Sequence, residues 1–419
     1  MSAMTNRTAL ALLAIGVLAL FGVHAWFAVE WYAAGAFSFD DGFFDADPLS
    51  NLNALAHGWG RRSLIHPHLA NFFAVPIRLL DVIDARLFGG VDRERFREYV
   101  ALSISPIATL IATLAVYRTV VLLHASRRTA VLVSLLYASS FSMLLFGTIP
   151  EAFPISNALM ALLFWYAASQ VRAGSDGRML VWSVLGFLLI SMTITNAVAF
   201  FIIRALHRRY TGGESWRVSV LRAGAQTALV AGVAIGSGFL AIQLLGYQEE
   251  AARAGVGSYV TSFVSLAPAS ILRNLANLGL AMGQSMLSFG TMERPLRFCA
   301  DLPQCHAVFF SHPSPSFLVF ALGFGLLAAV AALAWSALKT GEHTAQWLGC
   351  LGILAFNIGL HAVFGTEMFL FSQHWVTPLL LLMVPRVHRA PTAWTVVLMI
   401  QLVVNLSAMS RILGVITPS

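Results

Sequence analysis

Residues 37–76 read FSFDDGFFDADPLSNLNALAHGWGRRSLIHPHLANFFAVP. The segment holds the carboxylates Asp40, Asp41, Asp45 and Asp47, the arginines Arg61 and Arg62, and the histidines His57, His66 and His68. A positioned carboxylate can take the proton from a reacting hydroxyl. Arginine holds phosphate with two parallel hydrogen bonds, and histidine can serve either purpose or bind a metal. This is the equipment for moving a sugar from a lipid phosphate onto a hydroxyl, where the nucleophile needs a base and the departing phosphate needs positive charge. Further candidates lie later in the chain: Glu151 after Pro150, Arg294 and Arg297 in MERPLRFCADLPQCH, and Glu367 and His374 at the two ends of EMFLFSQH.

Each candidate has a structural duty that competes with chemistry. Asp45 or Asp47 would cap a helix starting at Pro48, because aspartate before a first-turn proline is a good N-cap. Asp40 and Asp41 could be solvated loop charges, and His66, before Pro67, a turn residue. Arg61 and Arg62 could hold lipid headgroups, and Arg294 and Arg297 could pair with Glu293 or Asp301. Glu367 and His374 could cap a helix. His57, His306 and His312 read as ordinary polar loop residues. No His/Cys/Asp spacing demands a metal, and no phosphate-binding loop or dinucleotide fingerprint occurs. The first-loop aspartates leave room for a divalent cation.

The elements that must position these groups are membrane spans. The chain of 419 residues is 58% hydrophobic and 11% charged, with a mean hydropathy of +0.77. Soluble domains carry about 25% charged residues, so a soluble fold is excluded. The net charge of +7 is no nucleic-acid signature, since the arginines sit mostly in short loops, where they set topology. Apolar runs predict spans near 8–28, 98–123, 129–147, 154–172, 218–245, 316–338, 345–364, 373–386 and 392–412. The first is read as a span, with no cleavage site before Trp31.

Residues 179–203 decide the count. As one helix they would put Arg204, His207, Arg208, Arg209 and Arg217 on the side of the first loop, against the positive-inside rule. As a hairpin of two short helices with Ser191, Thr193, Thr195 and Asn196 at its apex, they leave all the basic loops on one side. The alternative is a single span with a locally inverted rule. The hairpin gives about 11 spans, a cytoplasmic N-terminus, and outer loops at 29–97, 246–315 and 365–372. Residues 69–90 and 258–290 read as interfacial amphipathic segments. Cys299 and Cys305 would suit a disulfide if their loop is extracytoplasmic, or stay as two reduced thiols. Cys350 reads as inert packing.

The plan of one span, an aspartate-rich loop and an interfacial helix resembles the GT-C superfamily of membrane glycosyltransferases. FDADP followed by HPHLANFFAVP is similar to bacterial members with a DP…HPL-type first loop, among them the serotype-modifying O-antigen glycosyltransferases. IPEAF (149–153), TITN (193–196) and EMFLFSQH (367–374) resemble later landmarks of that group. The resemblance implies an all-α polytopic, GT-C-like fold over 1–419, a polyprenyl-phosphate-sugar donor, a glycan or lipid-linked acceptor, and inverting transfer without a nucleotide sugar. It implies no required cofactor and a place in the bacterial inner membrane with the site extracytoplasmic. The catalytic aspartate falls on Asp47 or Asp45, with Asp40 and Asp41 as rivals and Glu151 as a second acid or an orienting group. Substrate contacts fall on Arg61, Arg62, His66, His68, Arg294, Arg297, Glu367 and His374. The sequence departs from the pattern at His68, an extra histidine, and at Ser50 and Asn51, where relatives carry a basic residue.

Two other classes compete. A transporter or flippase predicts ionisable groups at mid-span and inverted repeats; here the charges lie in loops and no repeat is seen. A non-catalytic scaffold predicts that no single aspartate matters. A polysaccharide ligase or lipid-modifying phosphotransferase would show similar loops.

Overall fold

The computed structural model describes residues 6–38, 40, 46–57, 66–69, 79, 82, 85–86, 93–124, 126–245, 264–289, 291–295, 306–310, 316–365 and 368–416. Asp41, Asp45, Arg61, Arg62, Arg297, Glu367, Cys299 and Cys305 lie outside them, as does most of 69–90. The chain is almost entirely helical: α1 (Asn6–Ala33), α2 (Pro48–His57), α3 (Arg93–His124), α4 (Arg127–Ala138), α5 (Phe141–Phe146), α6 (Ala152–Ala173), α7 (Met179–Met192), α8 (Asn196–Tyr210), α9 (Trp216–Leu245), α10 (Pro268–Met286), α11 (Phe317–Leu338), α12 (Thr344–Val363), α13 (Gln373–Arg389) and α14 (Pro391–Ile416). Among the described residues, 7 helices are long and apolar enough to cross a membrane. The protein is a multi-pass, all-α membrane protein. The loop after α10 also carries an antiparallel hairpin, β1 (Thr291–Pro295) with β2 (His306–Phe310), which the apolar runs did not reveal.

Short links between α3 and α4, α6 and α7, α8 and α9, α11 and α12, and α13 and α14 gather Arg127, Arg172, Arg178, Arg208, Arg217, Lys339 and Arg386 at one end of the bundle. Thr129 meets His388 there at 3.1 Å. α2, the turn before α6 and the link from α12 to α13 lie at the other end.

The expected span 129–147 is broken at Ser139–Ser140 into α4 and α5. A break at membrane depth is tolerated where protein satisfies the freed backbone groups. Here α14 does so: Gln401 donates to Leu136 O at 2.6 Å, and Asn405 donates to Ser139 O at 2.8 Å and Met286 O at 2.9 Å. A second buried network ties α4, α6 and α13. The Asn157 amide donates to Tyr137 Oη at 2.7 Å and Gln373 Oε1 at 2.8 Å, and its carbonyl accepts from Thr377 at 2.6 Å. Truncating it orphans several buried groups at once. Asn157→Ala is expected to cost about 2 kcal/mol, read as a lower melting temperature in detergent; an unchanged melting curve would remove the network from the account of stability.

The amphipathic segment 258–290 is described from Val264 to Phe289. Its helix α10 is buried from Asn274 onward and packs on α11 backbone to backbone. A Cβ on Gly279 would lie 2.0 Å from Gly323 O, and one on Gly323 would lie 2.1 Å from Ala276 O. Small residues permit such close helix approach in membranes. Gly279→Ala must push the pair apart and is expected to cost about 2 kcal/mol, seen as reduced yield of folded protein; unchanged yield and stability would contradict the crossing.

Residues 179–210 form the hairpin that the charge pattern favoured: α7 ends at Met192, α8 starts at Asn196, and Thr193–Thr195 make the turn. With 14 and 15 residues, the two helices rise only about 21–23 Å, short of the roughly 30 Å hydrocarbon core.

Candidate functional site

The first loop enters α2 at Asp47, and Pro48 supplies the first helical position without an N–H to waste. Asp47 O accepts from Asn51 N at 3.0 Å and from the Asn51 side-chain amide at 2.9 Å. The Asp47 side chain is buried, only 6% exposed. Asn51, one turn on and on the same face, donates its amide to Glu151 Oε2. Glu151 is 3% exposed and caps α6, accepting from Ala152 N at 3.1 Å. Asn51 thus joins the Asp47 main-chain carbonyl to the Glu151 carboxylate, and both acidic residues are buried at helix N-termini, whose positive end favours negative charge.

Asp40 is placed differently. Its carboxylate accepts from Ser50 N at 2.9 Å and from Ser50 Oγ, so it holds the first turn of α2 as a cap supplied from outside the helix. Asp40 and Asp47, rivals in the sequence, are therefore given different surroundings by the fold.

The histidine loop descends onto the short hairpin. His66 Nδ1 donates to Met192 O at the end of α7 and lies 3.3 Å from Thr193 Oγ1. Thr193 in turn meets Ser156 Oγ of α6 at 3.2 Å. The acceptor carbonyl fixes the proton of the neutral ring on Nδ1. His68 N donates to Ser191 O at 3.1 Å, and its Nε2 donates to Ser237 Oγ of α9 at 2.9 Å, because the Ser237 hydroxyl is spent on Val233 O. Burial pushes the His68 imidazole below its ordinary range, partly opposed by a hydrogen bond with the Ala234 backbone. His68 thus fastens the loop to α7 and α9.

An aromatic chain links His66 to the link between α12 and α13. His66 meets Phe153 edge-on, with centroids 6.2 Å apart, and Phe153 meets His374 at 5.3 Å. Phe371 packs on Phe153, His374 and His361. The fold accordingly brings Asp47, Glu151, His66 and His374 to one end of the bundle, and directs Asp40 and His68 to structural partners. Arg294 lies in β1, where only the backbone is described. Among the described residues, no group of three or more His, Cys, Asp and Glu is arranged to hold a metal ion.

Sequence reasoning missed Asn51 and His361. Asn51 had a signal: its i+4 spacing from Asp47 puts the two on one helix face. His361 had none, since its place beside Phe371 and Trp375 depends on how α12 meets α13. Both ring nitrogens of His361 and Nε2 of His374 are buried without a hydrogen-bond partner among the described residues.

No protein-family model matches the chain, and no curated protein sequence matches it.

Proposed function

We propose that this protein is a GT-C-type membrane glycosyltransferase that moves one sugar from a polyprenyl-phosphate donor to a glycan or lipid-linked acceptor outside the cytoplasm. The observation that carries the reading is that Asn51 bonds both the Asp47 main chain and the Glu151 carboxylate, so two buried acidic residues 104 positions apart share one neighbour at the end of the bundle opposite the basic links. Asp47 is the base. It takes the proton of the acceptor hydroxyl as that oxygen forms a bond to the anomeric carbon; the bond from that carbon to the phosphate oxygen breaks, its electron pair leaves with the phosphate, and the configuration inverts. Glu151 orients Asn51 and, through it, the first turn of α2. Arg61 and Arg62 offset the charge that develops on the phosphate, with Arg294, Arg297 and Glu367 contacting substrate, and His66 and His374 line the approach. The donor's lipid chain would lie against the short hairpin, whose helices stop short of the full depth of the hydrocarbon core. In this reading about 11 segments enter the membrane, the N-terminus is cytoplasmic, and the membrane is the bacterial inner membrane.

A transporter suits one observation: His24 is buried within α1, in its C-terminal half, with neither ring nitrogen partnered among the described residues. The test separates the two readings. The gene is deleted in its host, and surface glycans and lipid-linked precursors are profiled by mass spectrometry, with complementation by wild type and by Asp47→Asn. Loss of one sugar, restored by wild type and not by Asp47→Asn, is the expected result. Unchanged glycans with an accumulating lipid-linked intermediate would replace the enzyme with a transporter.

A further inference from the structure

A cavity of about 550 Å³ opens between α1, α2 and α3, on the far side of α2 from Glu151. α2 separates the two. Positions 51 and 53 differ by about 200° around a helix, so Asn51 turns to Glu151 while Leu52 and Asn53 face the cavity. Opposite them stand Tyr32 of α1 and Arg95, Glu98 and Tyr99 of α3. Tyr32 donates its hydroxyl to Glu98, and the two tyrosine rings meet edge-on with centroids 5.7 Å apart. Tyr99 is 46% exposed, an aromatic face open at the mouth.

We propose that this cavity binds a neutral saccharide unit of the acceptor, one or more residues away from the sugar that reacts. The proposal rests on the glycosyltransferase reading and names its acceptor as an extended glycan. A sugar ring offers apolar C–H faces to an aromatic ring and adjacent hydroxyls that both donate and accept. The lining supplies an aromatic face, a carboxylate acceptor, a guanidinium donor and an amide that does both. The opposite charges of Arg95 and Glu98 balance, which favours a neutral polyol over phosphate. α2 stands between this cavity and Glu151 and acts as the wall between recognition and reaction.

The test uses the full chain in lipid nanodiscs and measures binding of maltotetraose, mannotetraose, chitotetraose, galactotetraose and rhamnotetraose. At least one is expected to bind, at least tenfold more weakly to Glu98→Gln and to Tyr99→Ala, and equally well to Asp47→Asn. Tyr99 is exposed and Glu98→Gln conserves shape, so both variants test recognition apart from folding. Absence of binding to all five probes, binding unaltered in both cavity variants, or displacement by inorganic phosphate at equal concentration would each overturn the proposal. If cells carrying Tyr99→Ala transfer sugar with an unchanged KM for acceptor, the cavity assignment falls and the transferase stands. If a tetrasaccharide binds in the cavity while gene deletion leaves every glycan intact, the transferase reading falls and the saccharide site stands.

Discussion

Asp47→Asn is expected to lower sugar transfer by about 10²–10⁴-fold while the protein still inserts and folds. That range corresponds to roughly 3–5.5 kcal/mol of lost barrier reduction. The choice of asparagine separates catalysis from capping. Asp47 stands just before Pro48, and asparagine is as good an N-cap as aspartate, so α2 should keep its first turn and Asn51 its bond to Asp47 O. What the amide cannot do is accept a proton. A loss of transfer with normal membrane expression and melting temperature would therefore mark the base. Retained transfer would show that Asp47 only starts the helix and would turn attention to Asp45, its neighbour in FDADP. Asp40→Asn serves as the contrast. Its carboxylate already holds Ser50, so the expected result is a modest fall in stability with transfer largely kept.

The second large effect lies at the opposite end of the bundle. Arg204 is fully buried in α8, donates to both oxygens of Asp176 at 2.7 and 2.9 Å, bonds Gln226 at 3.1 Å, and lies 4.8 Å above the Trp182 ring. Its partner Asp176 is 41% exposed at the side chain. The two halves of the pair should differ in consequence. Asp176→Ala strands a buried guanidinium and is expected to cost about 3 kcal/mol. Arg204→Met leaves a carboxylate that water can reach and takes one donor from the buried Gln226 carbonyl, fills most of the volume, and is expected to cost less, about 1–2 kcal/mol. Thermal unfolding in detergent measures both, and a larger cost for Arg204→Met would mean that packing on Trp182, not charge, holds α8. Burial is the largest single influence and raises the Asp176 carboxyl, but the hydrogen bonds and charge of Arg204, with the charges of Arg208 and His207, together outweigh it, so its value lies below the ordinary carboxylate range. A carboxyl lowered by folding contributes fully above its ordinary value and loses that contribution as the pH falls through the lowered one. Acid should therefore loosen the base of the hairpin, and Asp176→Ala should flatten that part of the pH profile.

The hairpin over 179–210 was legible because its evidence was electrostatic: only a chain that turns back at Thr193–Thr195 keeps Arg204, Arg208 and Arg209 with the other basic loops. The break at Ser139–Ser140 was not legible, because nothing within 129–147 marks it; its stabilising partners, Gln401 and Asn405, lie more than 260 positions on. The close crossing of α10 and α11 was hidden likewise, since Gly279 and Gly323 are informative only as a pair. At the candidate site, residue types drew attention to Asp47, Glu151, His66 and His374, but the bond from Asn51 to Glu151 and the capping of Ser50 by Asp40 are set by how α2 meets α6 and cannot be read from aspartate spacing.

The route by which the first loop is fastened also sets a schedule for biogenesis. Asn51 waits 100 positions for Glu151, His66 waits 126 for Met192, and His68 waits 169 for Ser237. At roughly 5–20 residues per second, a nascent loop stays unanchored for about 5–35 seconds after it is made. During that interval Asn51, His66 and His68 lack the partners that the later helices supply, so the loop stays open to proteases. Slow synthesis or a stalled ribosome between α3 and α9 would prolong that exposure without altering a single contact of the finished protein.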